Sequence, residues 1–170
     1  MKVIFFIICL LALSISSINI VANAPVESIK NYQILNSDFA SSGLPNEGQI
    51  KALKDAGYQQ VINLIPGDYT DEQALLTELG IGFEQIEVVW QEPKLDDFKK
   101  FVAIMQSSKD EKVLLHCQLN YRASAFAYLY EVTQLGVAQE EAFAKMANIW
   151  TPEGTWAKFI DEVMSYYKKK

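Results

Sequence analysis

The sequence predicts an α/β domain with a central sheet flanked by helices, and three observations predict it. Short apolar runs of strand length alternate with longer stretches whose apolar residues recur at helical spacing. Glycine and proline fall at the joints, at Gly57, Pro66-Gly67, Gly80 and Pro93. Half of the 170 residues are apolar, which is enough for a real core, and no internal repeat or low-complexity tract interrupts the pattern.

Taken in chain order, residues 32–35 and 39–41 read as short strands. Asn46, with Gln49 three positions on, caps a helix over 47–56 that stops at Gly57 and buries Ile50, Leu53 and Ala56. Residues 61–65 form a continuous apolar strand closed by Pro66-Gly67. Thr70 with Gln73 starts a second helix, which stops at Gly80. Residues 83–90 read as a strand. Pro93 then opens a helix whose inner face is Leu95, Phe98, Phe101, Val102 and Met105. A last strand covers 112–116. The remainder is helical, over about 123–135, 138–149 and 153–167, the last capped by Thr151 with Pro152 in its first turn.

Residues 1–24 stand outside this plan. Lys2, the apolar run 3–13 and the closing Ala22-Asn23-Ala24 have the order of a secretory signal peptide, with cleavage after Ala24. The alternative is a retained anchor, since 3–21 is nearly long enough to span a bilayer. Cleavage leaves 25–170 as a single domain, periplasmic or secreted, with no stable membrane association. It removes one lysine and no acid, taking the net charge from −6 to −7. An acidic chain repels nucleic acid, which is therefore not an expected partner. Cys9 leaves with the leader. Cys117 then has no cysteine to pair with, so it is either a buried bystander or a reactive thiol.

One segment concentrates the chemistry. The chain has one histidine and one arginine, and His116, Cys117 and Arg122 fall within seven positions. Every other basic residue is lysine, which cannot offer the planar fork that binds an oxyanion through two parallel hydrogen bonds. An apolar strand runs into a short loop and then a helix, so loop N–H groups and the helix N-terminus converge where an anion would sit. Asn120 occupies the middle of the loop, where a left-handed residue is wanted and asparagine is tolerated. These parts suit a thiolate nucleophile with a cradle for a tetrahedral anion. Packing alone is the competing reading for Cys117, and a backbone-bonded strand-end histidine is the competing reading for His116.

His116-Cys117 leading to Arg122 resembles the signature of the protein tyrosine phosphatase superfamily. More closely, the chain resembles the small bacterial phosphatase-like domain found alone or fused to β-lactamase-fold hydrolases. Ser41-Ser42-Gly43-Leu44-Pro45 is similar to that family's opening Ser-Gly-Gln-Pro segment, and 57–64 to its first long strand. The resemblance implies a cysteine-phosphatase-like fold with Cys117 as nucleophile and Arg122 as clamp. It also implies a cradle made by Gln118, Leu119, Asn120, Tyr121 and Arg122, and it calls for no metal or cofactor. A proton donor is expected from the segment 90–93, with Glu92 the first choice, and Asp96 or Asp97 on the first turns of the following helix the second. Four departures stand out: four residues between Cys117 and Arg122 where most tyrosine phosphatases have five, Ala123 for the usual hydroxyl residue, Asn120 for glycine, and Ile65 for arginine.

Three functions follow as expectations. The first is an exported phosphoric monoester hydrolase, acting on a phosphorylated substrate or small oxyanion through a phosphocysteine. The second, suggested by the short loop, is rhodanese-like sulfur transfer with a persulfide on Cys117. The third is an anion-binding module without turnover.

Overall fold

The computed structural model describes residues 25–169, so the leader expected over 1–24 lies outside them. Five strands form one sheet in the order β1-β2-β5-β3-β4: β1 is Gln33–Asn36, β2 Phe39–Ser42, β3 Gln60–Asn63, β4 Gly82–Gln85 and β5 Val113–His116. The edge pair β1–β2 is antiparallel and the other pairings are parallel. Six helices cover the sheet: α1 Glu47–Asp55, α2 Thr70–Glu78, α3 Leu95–Ser107, α4 Tyr121–Thr133, α5 Gln139–Ala147 and α6 Gly154–Lys168.

Successive strand residues point to opposite faces, and β5 shows how that divides the core. Leu114 packs with Ala40, Val61, Ile50, Leu53 and Leu76 on the side of α1 and α2. Val113 and Leu115 pack with Phe98, Phe101, Phe126 and Phe159 on the side of α3, α4 and α6. Because β5 is covered on both faces and lies at the centre, all four of its residues are buried. α4 is buried from Ala123 to Glu131, as expected of a helix surrounded by strands and other helices. Parallel strands open their carboxyl ends to the same side, and β5 delivers His116 and Cys117 to the middle of that rim.

The structure corrects several sequence expectations. The strand expected over 83–90 is only four residues long. Ile86 N–H makes the last bond to β3, at Asn63 O, and Val88 N–H then closes a tight turn onto Ile86 O. Ile86 and Val88 are still buried, so the apolar run there reflects core contact and not pairing. β3 likewise ends at Asn63, whose side chain takes the Ile65 N–H, although Leu64 and Ile65 remain buried. Thr70 does not cap α2 through its own hydroxyl. Asp68 accepts both its N–H and its Oγ1–H, and Tyr69 is the cap position. Glu153, not Thr151, is the cap position of α6. The capping box of Asn46 and Gln49 on α1 is present as expected.

α4 connects the core to the loop. Phe126 is fully buried, edge-on to Phe98 and Phe101 and stacked on Phe159. Phe126→Ala is expected to destabilise the fold by roughly 3–5 kcal/mol, the usual cost of emptying a phenyl-sized core site. Urea unfolding measures this, and a loss below about 1 kcal/mol would contradict the packing described.

Candidate active site

At the end of β5 the chain leaves the sheet through Cys117, Gln118, Leu119 and Asn120 and enters α4 at Tyr121. Arg122, expected at the far end of the loop, thus belongs to the first turn of the helix. That brings the guanidinium and the helix N-terminus together. In the first turn, N–H groups have no carbonyl four residues back within the helix, which leaves Tyr121, Arg122 and Ala123 with donors to offer.

The carbonyls of the loop are held by its neighbours. Gln118 O accepts Leu44 N–H at 3.3 Å, and Leu119 O accepts Asn31 Nδ2–H at 2.9 Å. A trans peptide points its N–H away from its C=O, so the first of these bonds turns the Leu119 N–H the opposite way. The Cys117 N–H is used differently, donating to Ser42 O at 3.2 Å on the neighbouring strand. Gly43 is where this neighbour passes closest. A β-carbon there would lie 2.9 Å from Lys30 O and 3.1 Å from Gln118 O, so the segment seated against the loop needs glycine.

Asn120 adopts the left-handed conformation expected of it, with φ 67°. Its Nδ2 donates to Asn31 O at 2.6 Å and to Ser41 Oγ at 3.1 Å. Asn31 is left-handed as well, with φ 51°, and returns a bond to Leu119 O, so the two asparagines clamp the loop to the segment before β1. No local motif marks Asn31, because its partner lies 89 positions away. Asn120→Ala is expected to cost about 2–4 kcal/mol, from the lost bonds and the left-handed strain together. Asn120→Gly keeps the backbone and should cost less. Equal losses in chemical denaturation would show that conformation contributes nothing.

Cys117 is a buried free thiol. Arg122 lies with its Cζ 5.9 Å from the centre of the Trp90 ring, and its Nε is buried without a hydrogen-bond partner. Seven buried side-chain polar atoms among the described residues have no partner, and five of them belong to Glu72, His116, Asn120 and Arg122. Glu72 Oε1 and His116 Nε2 face each other at 3.0 Å, which leaves Arg122 Nε as a buried donor in the first turn of α4 with no partner in the protein. Buried donors ordinarily find acceptors, so this one can receive an anion.

Tyr69 and Glu72 join the site from α2, unannounced by any local motif. Burial chiefly, helped by the Glu72 charge, holds the Tyr69 phenol above its ordinary range, while Arg122 pulls it down and Cys117 pushes it up. The Tyr69 hydroxyl therefore stands within electrostatic reach of all three groups. Tyr69 lines a cleft of about 520 Å³ with Leu44, Glu47, Ile50 and Glu72, and no residue of 117–122 contributes to its lining.

On the other side lies an aromatic wall. Trp90 is 36% exposed and packs within 5.4 Å of Trp150, 5.1 Å of Trp156 and 6.4 Å of Tyr121, measured between ring centres. Trp156 Nε1–H donates to Trp90 O, and Trp150 Nε1–H donates to Tyr121 O and Ser124 Oγ. Ser124 also donates to Tyr121 O, so its hydroxyl serves the helix and the tryptophan.

Glu92 follows Trp90 on an exposed turn, where its N–H donates to Val89 O. Its side chain is 74% exposed, with Lys94 Nζ at 3.8 Å. The Trp90 ring is the link between this turn and Arg122. Asp96 and Asp97 lie in the first turn of α3; Asp96 binds Lys99 at 2.9 Å, and Asp97 lies 3.9 Å from Lys100. Among the described residues no group of three or more histidine, cysteine or carboxylate side chains is placed to hold a metal ion.

No protein-family model matches the chain, and comparison with curated proteins finds no match. Solved structures do match. A phosphatase-like protein (DUF442) of Shewanella putrefaciens CN-32 is 38% identical, with a TM-score of 0.77, over 84% of this chain and 96% of that one. TpbA of P. aeruginosa shares the fold at 19% identity and a TM-score of 0.69, over 87% and 94% of the two chains. The PP-IP phosphatase SIW14 of S. cerevisiae, in complex with citrate, does so at 17% and 0.69, over 86% and 94%. On its identity to the Shewanella protein, the chain belongs to the DUF442 family of phosphatase-like proteins, built on the fold of the cysteine-based tyrosine phosphatases.

Proposed function

We propose that this protein is a cysteine-dependent phosphoric monoester hydrolase. The observation that carries the reading is that buried Cys117 stands at the end of β5 just before the α4 N-terminus, whose first turn holds Arg122 with its Nε buried and unpartnered. Sγ attacks phosphorus, the bond to the ester oxygen breaks, and that oxygen leaves with a proton. Water then attacks the phosphocysteine, releasing phosphate and restoring the thiolate. First-turn N–H groups and Arg122 bear the charge of the transferring group, and neither step requires a metal. Glu92 supplies the proton in this scheme, since its turn adjoins Trp90 over Arg122.

The phosphatase-like DUF442 relative supports the reading, as does a TpbA variant bound to phosphotyrosine on the same fold. The mouth also suits an aryl ester. Trp90 and Leu119 expose large apolar surface beside the loop, and Tyr121 stacks on Trp150. The leader expected over residues 1–24 would place the reaction outside the cytoplasm.

Hydrolysis of an aryl phosphate by the purified protein tests the proposal. Turnover is expected without added metal and should be inhibited by sulfate. Glu92→Gln should slow it by about 10²-fold if Glu92 is the acid. Absence of hydrolysis with transfer of sulfur from thiosulfate to cyanide would replace this reading with sulfur transfer, and sulfate binding without any turnover would reduce it to an anion-binding module.

A further inference from the structure

The mechanism leaves a buried carboxylate unused. Glu72 stands in the first turn of α2, and its side chain is 7% exposed. It faces His116, which is fully buried, with Oε1 3.0 Å from Nε2. The two atoms lie at hydrogen-bonding distance without an aligned hydrogen bond between them, so the contact is one of proximity. Oε2 accepts Asn63 Nδ2–H at 2.9 Å, and Asn63 Oδ1 accepts the Ile65 N–H at 2.7 Å. Asn63 is the ladder partner of His116 on one side, and Ser42 is its partner on the other. His116 is therefore surrounded by Ser42 from β2, Asn63 from β3, Glu72 from α2 and Cys117 next in its own chain. Glu72 is the carboxylate among them.

We propose that Glu72 is a positioning residue that acts through His116 on the cysteine loop. The inference rests on the phosphatase reading for its kinetic consequence, but not for its structural one. A buried carboxylate is costly unless something compensates it. Here the compensation comes from the residue joined to Cys117 and from the strand that aligns it. The arrangement fixes the imidazole from the far side of the sheet, and the ring in turn sets where the chain leaves β5. Tyr69 is the cap position of α2, so the same contact anchors the end of the helix at which Tyr69 sits.

The test compares Glu72→Gln and Glu72→Asp with wild type. Glutamine keeps the shape and can still accept from Asn63, but it loses the charge. Its kcat on an aryl phosphate is expected to fall about tenfold, the effect of losing one charge-assisted contact, with KM within about twofold. Aspartate should recover part of the loss. His116 is the single histidine of the chain, so its ring gives an unobstructed NMR signal. That signal should shift in Glu72→Gln and move back toward wild type in Glu72→Asp. Unchanged kcat, or an unmoved ring signal, overturns the proposal. If Glu72→Gln does not fold, Asn63→Ala carries the test, with a smaller fall in kcat and a ring shift expected; an unshifted ring overturns it. Should wild type itself hydrolyse nothing, the phosphatase reading fails separately. Sulfate protection of Cys117 against iodoacetamide then decides: about tenfold weaker protection in Glu72→Gln supports the proposal, and equal protection overturns it.

Discussion

Replacing Cys117 by serine is expected to lower aryl-phosphate turnover by on the order of 10⁴-fold while leaving the fold almost as stable. The two side chains differ by one atom, and Cys117 is buried at the end of β5 with its N–H fixed to Ser42 O. Little in the packing should change. The chemistry does change, because a serine hydroxyl needs a base to remove its proton at the moment of attack, whereas a thiolate attacks directly. Sulfate should still bind the variant, since the α4 N-terminus and Arg122 are untouched. Activity within tenfold of wild type would show that another group performs the attack.

Arg122→Lys is expected to lose about 10³-fold in turnover, nearly as much as Arg122→Ala, because an ammonium cannot reproduce the two parallel bonds of the fork. Stability should move by less than about 1 kcal/mol in either variant, because Nε has no partner to lose and the guanidinium touches the exposed Trp90 ring. The anion response separates the roles. Sulfate should raise the melting temperature of wild type, by binding the native state only, and should do so scarcely at all in Arg122→Ala. If Arg122→Lys keeps both turnover and the sulfate response, the site uses a point charge and not a fork.

The α/β class, the buried β5 and the sequence from Cys117 to Arg122 were legible because each leaves a local trace. Val61-Ile62 and Val113-Leu114-Leu115 mark β3 and β5, a capping box marks α1, and an asparagine in the loop marks the left-handed turn at 120. Local traces failed where long-range contacts decide. Residues 86–90 look like strand because Ile86 and Val88 are buried, yet no strand lies beside them to pair with. Arg122 reads as the end of a loop because nothing local shows that the helix begins at Tyr121. Glu72 and Tyr69 reach the site from a helix that resembles any other in the sequence. Their importance comes from the parallel pairing of β3 with β5, which sets Asn63 beside His116 and swings α2 over it. Trp150 and Trp156 likewise meet Trp90 across some sixty residues of chain.

In the proposed reaction Cys117 becomes phosphorylated during turnover. Rapid acid quenching of the protein with an aryl phosphate, followed by mass spectrometry of the peptide containing residues 113–122, measures this directly. A fraction of that peptide is expected to be heavier by one phosphoryl group, with the label on Cys117 and absent from the Cys117→Ser variant. Full turnover with no phosphoryl group on this peptide at any quench time, or with the group on another residue, would contradict it.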